Sequence, residues 1–195
     1  MLNPLLSTID IWAINITPRQ PSAPFLRQIL ARYTLQNTDE LVIECGEFGK
    51  PYLRDFPEWQ FNVSHSNEKL LIAVSHNNPV GIDIEQLKFR KSLSSLIKKC
   101  FALSEQNYWF DLPENEKIPV FYNFWTRKEA VVKGIGRGIA LGLHHCEINV
   151  NQPNQFLNLP VNEKWQTQQI DISPDYCAAI ATIGACDFNV HHFEK

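Results

Sequence analysis

The run Phe124–Lys133, F-W-T-R-K-E-A-V-V-K, constrains this chain more than any other segment. Ala, Glu, Lys and Arg favour helix, and neither Pro nor Gly interrupts the run until Gly134 ends it. On a helix, Trp125, Glu129 and Lys133 stand at i, i+4 and i+8 in one slanted row. Phe124, Lys128 and Val131 or Val132 lie on neighbouring rows. One face then carries a ring, a carboxylate and an ammonium. The same spacing also fits a surface ion pair worth about 0.2–0.5 kcal/mol, so the helix alone leaves both readings open.

A second constraint lies upstream, in Val80-Gly81-Ile82-Asp83-Ile84-Glu85. Alternation on a strand puts Asp83 and Glu85 on one face and Ile82 and Ile84 on the other. The two carboxylates stand roughly 6–7 Å apart along the strand and repel unless a cation or water separates them. Hard oxygen ligands of this kind suit Mg²⁺, which takes one or two protein carboxylates together with phosphate oxygens and water. A solvated strand face is the alternative. In Phe61-Asn62-Val63-Ser64-His65-Ser66, two hydroxyls and an imidazole gather at a strand end, where they either bind phosphate or cap a turn. Adjacent strand residues face apart, which argues against a Ser–His nucleophile pair. Gly134-Ile135-Gly136-Arg137-Gly138 follows a helix instead of opening one, so it reads as a helix stop and a mobile loop, not a dinucleotide fingerprint.

The remaining chain reads as mixed α and β. Strands are expected at Ile9–Ile16, Leu41–Cys45, Phe61–Ser64, Leu70–Ser75 and Val80–Glu85, the last three as a local meander. Helices are expected at Phe25–Leu35, Ser92–Phe101, from Ser104-Glu105 to Phe110, and at Phe121–Lys133. Asp111–Pro119 reads as a polar loop. Tail strands are expected near Cys146–Val150, Trp165–Ile172 and Cys177–Ile183. The layout predicted is α+β in two halves, 1–87 and 88–195, meeting near Gln86–Arg90.

The 195 residues carry a net charge of −3, which excludes a globally basic nucleic-acid binder. No apolar run approaches the ~20 residues of a membrane span. Met1–Ile16 has no Lys or Arg at its start and is interrupted by Asp10, so it does not read as a signal peptide. Five cysteines without close pairing suit buried free thiols in a reducing cytoplasm. The adjacent pairs His144-His145 and His191-His192 are poor metal clamps on spacing alone.

Taken in order, G-K-P at 49–51, F-N-V-S-H-S at 61–66, G-I-D-I-E at 81–85 and F-W-T-R-K-E-A-V-V-K at 124–133 closely resemble the 4′-phosphopantetheinyl transferases. The two patterns G-[IV]-D-x-E and W-[ST]-x-K-E-[AS]-x-x-K are matched at every charged position, over a stretch from about Phe25 to Leu143. The long segment before Asp83 is similar to the larger, monomeric, pseudo-twofold members, with the active site between the halves.

The resemblance implies Mg-dependent transfer of 4′-phosphopantetheine from coenzyme A to a serine of an apo acyl or peptidyl carrier protein, with release of 3′,5′-ADP. It implies that Asp83, Glu85 and Glu105 hold Mg²⁺, and that Lys50, Ser64 and His65 contact the nucleotide phosphates. Glu129 would be the general base, Lys133 would bind the pyrophosphate, and Trp125 and Lys128 would shape that site; the catalytic set is Glu129, Lys133 and His65. No nucleic acid or membrane is implied as a partner. Larger members carry a longer, basic N-terminal region, whereas only Arg19, Arg27 and Arg32 precede Lys50 here. A catalytically reduced relative that binds coenzyme A or a carrier is therefore the alternative reading. Lys88–Lys99 holds Lys88, Arg90, Lys91, Lys98 and Lys99 without an acid, a run suited to steering an acidic carrier helix or simply to facing solvent.

Overall fold

A computed structural model of the chain describes residues 8–184 and 187–193. The expected absence of a signal peptide concerns Met1–Ile16, whose first seven residues lie outside this range, as does Cys186.

The chain forms two units of one topology. In the first, β1 (Thr8–Asn15) leads into α1 (Ala23–Thr34) and the small hairpin β2 (Ile43–Cys45) and β3 (Pro51–Leu53). A second hairpin, β4 (Trp59–Ser66) and β5 (Lys69–His76), then returns so that β5 pairs antiparallel with β1. In the second unit, β6 (Val80–Gln86) leads into α2 (Leu93–Cys100), α3 (Leu103–Asp111) and α4 (Glu114–Ile135). After the short β7 (Glu147–Ile148) and β8 (Phe156–Asn158), the hairpin β9 (Trp165–Gln169) and β10 (Tyr176–Ile183) returns so that β10 pairs antiparallel with β6. Strand orders β1-β5-β4 and β6-β10-β9 are thus equivalent, which is the expected pseudo-twofold.

Alternation explains the layering. Trp12 and Ile14 of β1, with Leu70, Ile72 and Val74 of β5, pack beneath α1 against Leu26, Ile29 and Leu30. Ile9, Ile11 and Ala13, with Leu71 and Ala73, point the other way onto Ile82 and Ile84 of β6 and Ala178 and Ile180 of β10. The first sheet is buried on both faces, which is why Leu70–Val74 is continuously apolar. On the far side, Ala130, Val131 and Val132 of α4 pack on Ala179, Ala181 and Trp165. Each fully buried Ile or Leu contributes roughly 1.5–3 kcal/mol by leaving water.

Two glycines set how closely α4 lies on β6. A Cβ added at Gly81 would fall 1.9 Å from the Ala130 carbonyl oxygen and 2.5 Å from the Gly134 nitrogen. One added at Gly134 would fall 2.5 Å from the Trp165 ring. Side chains here would push strand and helix apart.

Several expectations change. The meander does not form, because β6 leaves β5 and pairs with β10 in the other sheet. The crossing from one sheet to the other falls at 77–79, between β5 and β6. The segment Asp111–Pro119 is mostly helix: α4 starts at Glu114 and carries Pro119 inside it, early enough that one backbone hydrogen bond is lost. The end of the chain, β11 (Asp187–His192), returns to lie parallel to β1, with His191 Nε2 2.8 Å from Asp10 Oδ1. Of the cysteines, Cys146 and Cys177 are buried, but Cys45 is exposed.

Candidate active site

A strand at a sheet edge leaves one row of N–H groups without ladder partners. β6 is such an edge, and β4 of the other sheet supplies the missing acceptors from alternate side chains. The N–H of Ile82 donates to Asn62 Oδ1 at 2.9 Å, that of Ile84 to Ser64 Oγ at 3.4 Å, and that of Gln86 to Ser66 Oγ at 3.0 Å. The polar positions of F-N-V-S-H-S thus join the two units. In the same ladder, Ser64 Oγ donates to Asp83 Oδ1 at 2.9 Å and Ser66 Oγ to Glu85 Oε2 at 3.0 Å.

α4 completes the arrangement. Lys133 Nζ donates to Asp83 Oδ1 at 2.6 Å and to Ser64 Oγ at 2.9 Å, so three elements meet at one carboxylate. Asp83 is 4% exposed, and its other oxygen, Oδ2, is buried without a partner. Burial pushes the Asp83 carboxyl up, against the pull of Lys133 and Ser64. Burial also pushes Glu129 up, and the charge of Asp83 adds to this, while Lys133 opposes it. Among the described residues, Glu129 makes no hydrogen bond.

Of these groups, Lys133 and Glu129 open into a cleft of about 800 Å³ between the units, and Asp83 and Ser64 do not line it. Trp125, Glu129 and Lys133 line it from α4, as their common row predicts, and Lys50, Asn62 and Lys99 line it from other elements. Trp125 is held by stacking on Phe121, ring centres 5.6 Å apart. Lys50 donates to the Gly134 carbonyl at 2.6 Å, and its stem lies against Gly136, whose φ of +78° ends α4. Burial lowers the Lys50 ammonium to about 8. A second groove, of about 680 Å³, lined by Leu87, Pro119, Ile172 and Tyr176 among others, has no lysine. It does not suit an anion.

Of the expected site residues, Asp83, Glu85 and Ser64 sit where the units join without lining the cleft, and Glu105, Lys128 and His65 do not line it either. Glu105 and Lys128 form an ion pair of 2.7 Å with no exposed side-chain surface. Both Glu105 oxygens are taken, Oε1 by the Ile148 N–H at 2.8 Å and Oε2 by the Ala102 N–H at 2.6 Å as well as by Lys128. Each Glu105 oxygen thus has a protein partner already, and neither side chain lines the cleft. His65 is exposed and stands on the face of β4 opposite Ser64, without a hydrogen bond among the described residues. Asn62 was missed from sequence, Ser66 was read only as a phosphate contact or turn cap, and Lys99 was placed in the basic run; the signal for the first two was polar residues at every second position of one strand.

The 4′-phosphopantetheinyl transferase superfamily model matches residues 79–181. The chain belongs to that superfamily. It is 34% identical over 162 residues to the 4′-phosphopantetheinyl transferase HetI of Nostoc sp. (strain PCC 7120), covering 82% of this chain and 68% of that protein. It is 27% identical over 157 residues to the transferase Sfp of Bacillus subtilis (strain 168), covering 80% and 69%. A holo-(acyl-carrier-protein) synthase from Bacillus anthracis superposes with a TM-score of 0.47 at 17% identity, over 54% of this chain and 94% of its own. This transferase places both diagnostic patterns of its superfamily, the G-I-D-I-E strand and the W-T-R-K-E-A-V-V-K helix, in direct contact through Asp83 and Lys133. Among the described residues, no helix is long and apolar enough to cross a membrane.

Proposed function

We propose that the cleft binds coenzyme A by its diphosphate and that the carrier serine is phosphopantetheinylated there. The observation that carries this reading is Glu129: a half-buried carboxylate lining the cleft near Lys133, unpaired among the described residues, with its proton affinity raised by burial. A carboxylate so placed accepts a proton readily. The serine oxygen attacks the β-phosphorus of coenzyme A, Glu129 takes the hydroxyl proton, and the bond to the nucleotide phosphate breaks to release 3′,5′-ADP. Lys133 neutralises charge gathering on the bridging and leaving oxygens. Reactions of this type depend on positioning and charge neutralisation, not on a protein nucleophile.

The residues present fit a divalent cation. Asp83 Oδ2 is a buried acceptor with no partner, and the charges of Asp83 and Glu85 add to the cost of ionising Glu129. Among the described residues no group of three His, Cys, Asp or Glu is arranged to hold a metal alone. Asp83 and Glu85 are the residues that would hold Mg²⁺. When bound, such an ion supplies charge neutralisation at the diphosphate. Lys50, at the cleft wall, is placed to exchange its carbonyl partners for phosphate oxygens. Ser64 acts by orienting Asp83.

Both walls of the cleft come from one chain, which supports a monomer, and the free thiols support a cytoplasmic location. For the carrier, the exposed Phe89 and Leu103, at 75% and 72%, and the exposed basic residues Lys88, Arg90, Lys91 and Lys98 close to them in sequence support docking of an acidic amphipathic helix. The test is intact mass spectrometry of an apo carrier incubated with coenzyme A, Mg²⁺ and this protein. A gain of one phosphopantetheine that disappears with Asp83→Asn is expected. Binding of coenzyme A without any gain would leave only the non-catalytic alternative.

A further inference from the structure

The segment between α4 and β7 walls the cleft through Gly142, Leu143 and His144, yet little regular structure holds it. It contains two 3-10 turns, Gly138–Leu141 and Leu143–His145, and glycines 136, 138 and 142 all sit at positive φ. Glycines in such conformations give the backbone freedom that must be removed by contacts elsewhere.

The buried pair supplies those contacts. Lys128 Nζ donates to the Leu143 carbonyl at 3.0 Å, to the Cys146 carbonyl at 2.6 Å and to Glu105, so all three of its N–H groups are used. Glu105 in turn accepts from Ala102 at the start of α3 and from Ile148 at the end of the wall. Ser104 Oγ adds a bond to Glu147 Oε1 at 2.5 Å. Lys128 directly precedes Glu129 on α4, so the wall is tied to the helix turn that carries the base.

We propose that Glu105 and Lys128 are positioning residues that fix the distance between the 142–146 wall and the α4 face, and so set coenzyme A affinity without touching it. A buried charge pair is weak evidence for added stability, since an apolar pair of similar size often serves as well. What an apolar pair cannot do is hold the carbonyls of Leu143 and Cys146 and the N–H of Ile148 in register. This inference rests on the cleft being the coenzyme A site.

The test is a double variant, Glu105→Gln/Lys128→Met, which removes both charges and keeps volume. Circular dichroism and denaturation establish its folding. The expected result is a Kd and KM for coenzyme A raised on the order of tenfold, as for other outer-shell supports, with kcat held within about twofold. Amide hydrogen exchange should rise at 142–148 and stay unchanged in β1 and β5. Gly142→Ala acts on the same wall from its other side, where the added Cβ would lie 3.0 Å from the His145 ring at a φ of +72°. It should give the same KM phenotype with the pair intact, and it decides the matter if the double variant does not fold. Unchanged coenzyme A affinity in a folded variant overturns the proposal, as does a collapse of kcat at constant KM. Exchange on the unaltered protein separates the two levels. If coenzyme A protects neither 124–133 nor 136–146, it is the cleft assignment that fails.

Discussion

Nζ of Lys133 lies 2.6 Å from Oδ1 of Asp83, although fifty positions separate them in the chain. The contact exists because Gly81 lets α4 lie on β6 without intervening side chains. Removing the lysine leaves a buried carboxylate without its cation, which is more harmful than removing both charges. Lys133→Met should therefore lower unfolding stability by about 1–3 kcal/mol at neutral pH. Adding Asp83→Asn to it should restore part of that loss. Urea denaturation of the single and double variants measures both, and simple additivity would show the pair to be uncoupled.

Gly81→Ala tests the packing beneath the site. The new methyl would meet backbone atoms, which cannot rotate away, so the strand and helix must separate. A loss of about 3 kcal/mol is expected, at the upper end for overpacking. Activity should fall more than the folded fraction does, because Asp83 and Lys133 are drawn apart. A urea midpoint within experimental scatter of the unaltered protein would contradict this.

Glu129 should trade stability for function. Its folded proton affinity is raised by burial and by Asp83. Above the ordinary glutamate value of about 4.3, the folded protein therefore holds this proton more tightly than the unfolded chain, and stability falls as pH rises through the window. Glu129→Gln should abolish that dependence and raise stability at pH 7 by about 0.5–2 kcal/mol. Mg²⁺ should raise the Tm of the unaltered protein and have little effect on Asp83→Asn. Thermal melts between pH 4 and 8, with and without Mg²⁺, check each part.

Much of this site was legible in the sequence, and what was not has a physical reason. The row Trp125, Glu129, Lys133 follows from helical periodicity and lines the cleft. The pairing of β6 with β10 was invisible, because a strand reading gives faces but not partners, and the partner lies about a hundred residues downstream. The pairing of Glu105 with Lys128 was not legible, because a carboxylate after a turn reads alike whether it faces a cleft or caps a helix. Pro119 argued against helix where α4 in fact continues, the lost hydrogen bond being offset by packing of Phe121 and Tyr122. β11 carried no strong apolar alternation and was not anticipated.

Lys50 should make coenzyme A binding sensitive to mildly alkaline pH. Its ammonium loses its proton near 8, well below an ordinary lysine, because of burial. Affinity should therefore weaken as pH rises through about 8, and Lys50→Arg, which stays charged, should flatten the profile. Calorimetric titration with coenzyme A from pH 7 to 9.5 reads this directly. A flat profile in the unaltered protein would remove Lys50 from phosphate binding.

Charge reversal at Lys88 and Lys91 should slow carrier association about tenfold at low salt, and less at physiological salt where screening shortens the field. Stopped-flow association with an acidic apo carrier separates this from a catalytic effect, since single-turnover transfer at saturating carrier should be unchanged. Equal rates at low salt would assign the run Lys88–Lys99 to solvent.

Single-turnover transfer by Glu129→Gln, followed by intact mass of the carrier, tests the central claim most directly. With coenzyme A bound as tightly as by the unaltered protein, the rate should fall by at least about 10²-fold, the loss of a positioned base. Transfer within a few-fold of the unaltered rate would mean that another group takes the serine proton.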